Sequence, residues 1–280
     1  MNFLNDILNE KEIKNWWSSY KEFCQNFNDV DVDLYIKALP VLLNKLENNY
    51  AICDLQTALK RVSKNEALLG KEIFTKTIGS KINESQFLLI DILSGLYHSD
   101  KKFVIENIKK LIINENDNLK NIGIKSLTVI EFSNISTDLK NWIVQKLKEI
   151  LNANNKIKLK VSTLFVARNK YKETNSLNFV IEELHTLEND EIKLVLINFI
   201  FHNLNLEKDH KTIKKYLPSL LRIKTSNKGL YNHLSYGLSD LAKHHKDIVI
   251  GFITEWINID IQNAKKIEYF SFTLNRFYDK

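Results

Sequence analysis

Proline and glycine are scarce in this chain. Its 280 residues contain two prolines and seven glycines. An all-β fold needs both residues in its many tight turns, so their scarcity argues against one. It also leaves little material for a flexible linker. Cysteine is nearly absent: Cys24 and Cys53 lie far apart and show no metal-ligand spacing. The opening Met1-Asn2-Phe3-Leu4-Asn5-Asp6 has no basic region leading into an apolar core, so no secretory signal is read there. No apolar run reaches the roughly 18 residues that cross a membrane. The expectation is a soluble cytoplasmic protein with reduced thiols. No segment matches a phosphate loop, a dinucleotide fingerprint or a zinc-protease helix, and no two glycines form Gly-x-Gly. No cofactor and no metal is expected. Of the seven histidines only His244 and His245 adjoin, and neighbouring helical residues point about 100° apart, a poor geometry for one ion.

The chain does contain long helical periodicity. Its apolar fraction, 44%, is that of a folded protein, and Lys, Asn, Ile and Leu dominate, a bias that matches an AT-rich coding sequence. The two prolines share one frame, Leu39-Pro40-Val41-Leu42-Leu43 and Leu217-Pro218-Ser219-Leu220-Leu221. They lie 178 residues apart, near five times a period of about 36, and such a period is the signature of stacked repeats. Polar breaks lie at Glu47-Asn48-Asn49, Asn114 to Asp117, Asn152 to Asn155, Glu188 to Asp190 and Thr225 to Lys228, and the last four are spaced at roughly that period. A second set lies between them, at Ser99-Asp100, Ser133 to Thr137, Glu173 to Asn175, Lys208-Asp209 and Lys246-Asp247. Asn and Asp at such positions cap the next helix and close a turn. The spacing predicts helix pairs over 34–63, 66–98, 101–132, 136–170, 174–205, 209–244 and 247–278. Second helices are apolar around most of their circumference, as in Leu194 to Phe201, so they must be covered on several sides.

Both ends are aromatic. Ile13, Trp16, Trp17, Tyr20, Phe23, Cys24 and Phe27 recur at helical spacing and predict one amphipathic helix over 9–27. It reads first as an N-terminal cap and alternatively as a partner-binding helix. An acidic connector follows, Asn28 to Asp33. A helix from Lys265 to Tyr278 carries Ile267, Phe270, Phe272, Leu274, Phe277 and Tyr278. It reads as a second cap, with self-association into a homo-oligomer through the aromatic ends left open.

These features resemble HEAT or armadillo-type repeats, helical hairpins of this length. Such repeats often place a proline in the first helix, matched by Pro40 and Pro218. They also place an Asp followed by a basic residue near the start of the second, matched by Asp117 with Lys120 and Asp190 with Lys193. The other first helices lack the proline, and the pair at 66–98 is the least regular. The resemblance implies an all-α fold, a right-handed α-solenoid of about seven hairpins. Residues 1–33 would form the N-terminal capping helix and connector, and residues 34–280 one continuous array. It also implies a non-enzymatic scaffold that holds a protein partner in a concave groove lined by second helices.

Charge supplies the alternative. The net +6 is concentrated in residues 101–172, which carry 15 basic and 6 acidic side chains. Lys120, Lys125, Lys156, Lys158, Lys160, Arg168 and Lys170 fall on second helices, and the resemblance would place some of these charges in the groove. A basic groove attracts polyanions by counterion release. Compact basic HEAT-like proteins include DNA alkylation-repair glycosylases, which use aromatic residues and an Asp. Asp138 and Trp142, four apart, are the pair that shares a helical face here. Their family motif does not map residue by residue onto this chain.

Overall fold

The computed structural model describes residues 2–9, 13–46, 50–80, 85–153, 156–223 and 227–278. The predicted break at Glu47-Asn48-Asn49 lies outside them, as do Asn154, Asn155, Thr225 and Ser226 of two others. All secondary structure among the described residues is helical, with no strand. None of these helices is long and apolar enough to cross a membrane. The chain divides into two compact units, Met1–Glu131 and Phe132–Lys280. This boundary coincides with one between two predicted hairpins.

In the first unit, α1 (Asn2–Leu8), α2 (Trp16–Gln25), α3 (Val32–Leu46), α4 (Ile52–Asn65), α5 (Ala67–Gly79), α6 (Leu88–Ser99), α7 (Lys101–Ile112) and α8 (Asp117–Ser126) follow in order; α1 packs on α3, α4 on both α5 and α6, and α7 on α8. In the second unit α9 (Thr137–Asn152), α10 (Ile157–Lys170), α11 (Asn178–Leu184), α12 (Asp190–Asn198), α13 (His210–Tyr216) and α14 (Lys228–Ala242) follow in order, and α10 packs on α11 and α12, and α12 on α14. Then come α15 (Lys246–Ile259), the single turn α16 (Ile261–Ala264) and α17 (Ser271–Tyr278). Polar side chains start many of these helices. Asp100, Asn116, Ser136, Asn189 and Asn227 each accept a backbone N–H from the first turn that follows.

Three predicted helices differ in detail. The stripe over 9–27 starts as a helix only at Trp16, because Asn15 adopts φ 58°, a left-handed conformation that Asn tolerates. A separate helix, α1, lies upstream. Pro40 stays inside α3, whereas at Pro218 the α-helix stops at Tyr216 and a 3₁₀ segment takes over, Leu217–Leu220. Proline in the first turn of that segment has no N–H to leave unpaired. The predicted C-terminal helix is also in two pieces, a 3₁₀ turn at Ile267–Phe270 and then α17. The tighter turn buries Phe270 completely, edge-on to Trp256 at 4.8 Å.

Two forces hold the helices together. Leu, Ile and Phe fill the interior; Leu59, Leu93, Leu96, Phe199 and Leu238, for example, are fully buried. Each contributes about 1.5–3 kcal/mol by leaving water. Close backbone approach adds to this. A Cβ built on Gly95 of α6 would lie 2.3 Å from the Lys60 carbonyl oxygen of α4, so only glycine fits there.

Side-chain bonds then link positions one period apart. In the first unit Gln56 donates to Asp91 (3.0 Å, 35 residues on), Ser99 to the Ser63 carbonyl (3.3 Å, 36 residues) and the Glu131 N–H to Tyr97 Oη (3.2 Å, 34 residues). In the second, Asn203 donates to the Arg168 carbonyl (3.2 Å, 35 residues), Tyr216 to Glu182 (2.5 Å, 34 residues), Asn227 to Asp190 (3.2 Å, 37 residues) and Thr273 to the Ser235 carbonyl (2.8 Å, 38 residues).

Candidate interaction surfaces

The predicted basic residues occupy different settings. Lys120 and Lys125 are half-buried on α8 of the first unit. The others belong to α10 and its entry, in the second. Lys158 is exposed; Lys156 and Lys160 are half-buried. These three lie in or beside the first turn of α10, which holds no acidic residue. They crowd the positive pole of the helix dipole, where an anion is favoured and a cation is not. Arg168 is half-buried with its guanidinium 5.3 Å from the Phe165 ring, and burial holds its pKa below the usual value. Its Nε finds no hydrogen-bond partner among the described residues.

Lys170 faces inward. It is 7% exposed, its Nζ donates to Glu173 at 2.7 Å, and it lies 5.9 Å from the Phe132 ring. Glu173 also accepts the Phe132 N–H. Partial burial pushes the Glu173 carboxyl up, but Lys170 and the backbone N–H groups of Phe132 and Ser133 outweigh it and hold the pKa below the usual range. The charge of Lys170 is therefore neutralised within the fold.

Lys193 is the other inward lysine, 2% exposed on α12. Its ammonium donates to the His185 carbonyl at 3.1 Å and the Ser219 carbonyl at 2.6 Å, and burial lowers its pKa. It touches an open pocket of about 310 Å³ rimmed by Lys215, Arg222 and Glu188. Lys215 pairs with Glu182 at 2.6 Å and Arg222 with Glu188 at 3.3 Å. Asp138 is exposed in the first turn of α9, with Trp142 half-buried one turn on. His245 places Nε2 3.0 Å from the Glu207 carbonyl, and its ring lies 5.7 Å from that of His210. Among the described residues no three His, Cys, Asp or Glu side chains gather as a metal site.

The larger concavity lies at the N-terminus and was not foreseen. The aromatic stripe of α2 divides between two faces. Tyr20, Cys24 and, just beyond, Phe27 are buried against the body of the unit. Tyr20 Oη donates to the Ala51 carbonyl at 2.7 Å, and Arg61 donates to the Cys24 and Gln25 carbonyls, both at 2.8 Å, which satisfies the end of the helix. The other face carries Ser19, Glu22, Phe23 and Asn26. With Phe3, Leu4 and Asp6 of α1, Ile13, and Asp29, Val30, Asp31 and Leu34 of the connector and α3, it lines a cleft of about 460 Å³. Phe3 and Phe23 meet on its floor with ring centres 5.3 Å apart. Half-buried apolar side chains make the floor, and among the described lining residues there are four carboxylates and no lysine or arginine. Sequence order hides this cleft, because α1, α2 and the connector meet only through tertiary packing. The signals that point to it are the acidic connector and the excess of acid over base in the first 100 residues.

No family model, no curated protein and no solved structure matches this chain.

Proposed function

We propose that this chain is a HEAT-like, right-handed α-solenoid that acts as a non-enzymatic scaffold, holding a protein partner along a groove lined by its second helices. The observation that carries the reading is the set of side-chain bonds joining positions 34–38 residues apart, found in both units. Hairpins stacked in one direction bring such positions together at every step, so their spacing is what a repeat array requires. Burial of α10 over a broad arc, including Leu159, Thr163, Leu164, Val166 and Ala167, supports a second helix packed against more than one neighbour.

Scattering in solution tests the architecture. A compact 280-residue protein has a radius of gyration of about 19 Å. The array predicts a clearly larger value, and a compact one removes the reading. Capture from native extract tests the function. The wild type retains a protein that survives nuclease treatment, and the double variant Lys120→Glu/Lys158→Glu loses it.

One observation favours a second reading, nucleic-acid binding: the gathering of Lys156, Lys158 and Lys160 at the positive pole of α10. Nuclease-sensitive capture, with duplex binding that falls steeply between about 50 and 200 mM salt, selects it instead. No duplex binding at low salt eliminates it.

A further inference from the structure

We infer that the N-terminal cleft is a docking site for a cationic amphipathic helix of a partner protein. The inference stands apart from the groove reading, and either can fail alone.

Three observations carry it. The first is shape. At about 460 Å³ the cleft falls within the roughly 300–1,000 Å³ of pockets that hold ligands, which is room for a few large side chains. The second is chemistry. Phe3, Phe23 and Leu34 offer a half-buried apolar floor, and Asp6, Glu22, Asp29 and Asp31 surround it. An occupant must therefore bring apolar anchors flanked by positive charge. A cationic amphipathic helix does so, with anchors at i, i+3 and i+4 and lysines or arginines beside them. An acidic or neutral apolar segment would desolvate the exposed carboxylates of Glu22, Asp29 and Asp31 without bringing a positive charge to them.

The third observation is rigidity. The α2 wall is fixed from behind, by the Tyr20 bond to Ala51 and by Arg61 bridging the end of the helix. A wall fixed before binding loses little further freedom when the partner arrives. Trp17, 47% exposed on the same helix, adds apolar surface beside the stripe.

The competing occupant is a second copy offering its own lysine-rich α10, where Ile157 is 37% exposed beside Lys156 and Lys158. The test separates the two. Two synthetic helices of about 18 residues share a leucine face; one carries lysines on its flanks and the other glutamates. Binding to the full chain is measured by fluorescence anisotropy. The lysine peptide binds, about tenfold or more tighter than the glutamate peptide, and weakens about tenfold between low and high salt. The variant Glu22→Lys, checked by circular dichroism for an unchanged fold, binds it about tenfold less tightly, and Asp29→Lys repeats the loss. Equal binding of both peptides, binding of neither, or undiminished binding by both variants overturns the inference. So does sedimentation showing salt-sensitive self-association that Glu22→Lys abolishes, since the cleft then belongs to a second copy.

Discussion

Lys193 donates to the Ser219 carbonyl at 2.6 Å, one residue past the proline that ends the α-helical course of α13. The same ammonium donates to the His185 carbonyl, which follows α11. One buried side chain therefore satisfies backbone just beyond the ends of α11 and α13, both in the second unit. An ammonium with carbonyl partners tolerates burial better than one without them, although its lowered pKa shows that desolvation still dominates.

Replacing this side chain tests that role. Lys193→Met removes a buried charge but leaves two carbonyls without a donor. Each unsatisfied group costs about 1–3 kcal/mol, and methionine recovers part of this by apolar packing. The expected net loss is about 1–3 kcal/mol in urea titration. An unchanged midpoint would mean that the two bonds contribute nothing to stability.

Glycine substitutions are expected to split by sign. Gly95→Ala drives its new methyl against the backbone of α4, which cannot rotate away. The loss is about 1–3 kcal/mol, the range for overpacking. Gly251 lies inside α15 with no atom within 4 Å of a built Cβ and no positive φ. Gly251→Ala therefore stabilises by about 0.5–1 kcal/mol, because the unfolded chain loses freedom and nothing clashes. Thermal melts of the two variants should move in opposite directions.

The alternation of helices was legible because Asn and Asp at regular spacing both end one helix and cap the next. Asn116, Asn189 and Asn227 do this as read. Helix α1 was not legible: seven residues give too little periodicity to register. The change of helix type at Pro218 was not legible either, since Pro40 in the same frame stays inside α3. The sites divide in the same way. Net positive charge over 101–172 can be counted in the sequence. The inward turn of Lys170 depends on Glu173, whose spacing of three was readable, and on Phe132, whose position was not. The cleft carboxylates are spread from Asp6 to Asp31, and only packing gathers them.

The Lys170–Glu173 pair yields a third prediction. Glu173→Gln keeps an oxygen acceptor but removes the charge that neutralises a lysine only 7% exposed. The loss is about 1–3 kcal/mol. The double variant Lys170→Met/Glu173→Gln recovers part of it, because no buried charge is then left unpaired. If the double variant loses as much as the two singles added together, the pair does not act as a unit.

Alkaline pH should be the weak side of this protein. Burial raises the phenol pKa of Tyr20, Tyr35, Tyr216 and Tyr231 above the ordinary value of 10.0. The folded state thus keeps these protons after the unfolded chain has begun to release them. Stability from the four groups is full below pH 10 and falls as pH rises beyond it, by about 1.4 kcal/mol per pH unit for each proton retained. Lys193 has the opposite sign. Its lowered pKa makes the unfolded chain hold the extra proton, so its contribution rises towards pH 10.5 and then stops. Four tyrosines outweigh one lysine, and the net trend is loss. Tyr35 is fully buried, 5.2 Å edge-on from Phe27. Tyr35→Phe keeps that packing and removes one titrating group, so its urea midpoint should fall less between pH 9 and pH 11 than that of the parent. Parallel pH curves for parent and variant would show that the Tyr35 phenol is not among the groups that set the alkaline limit.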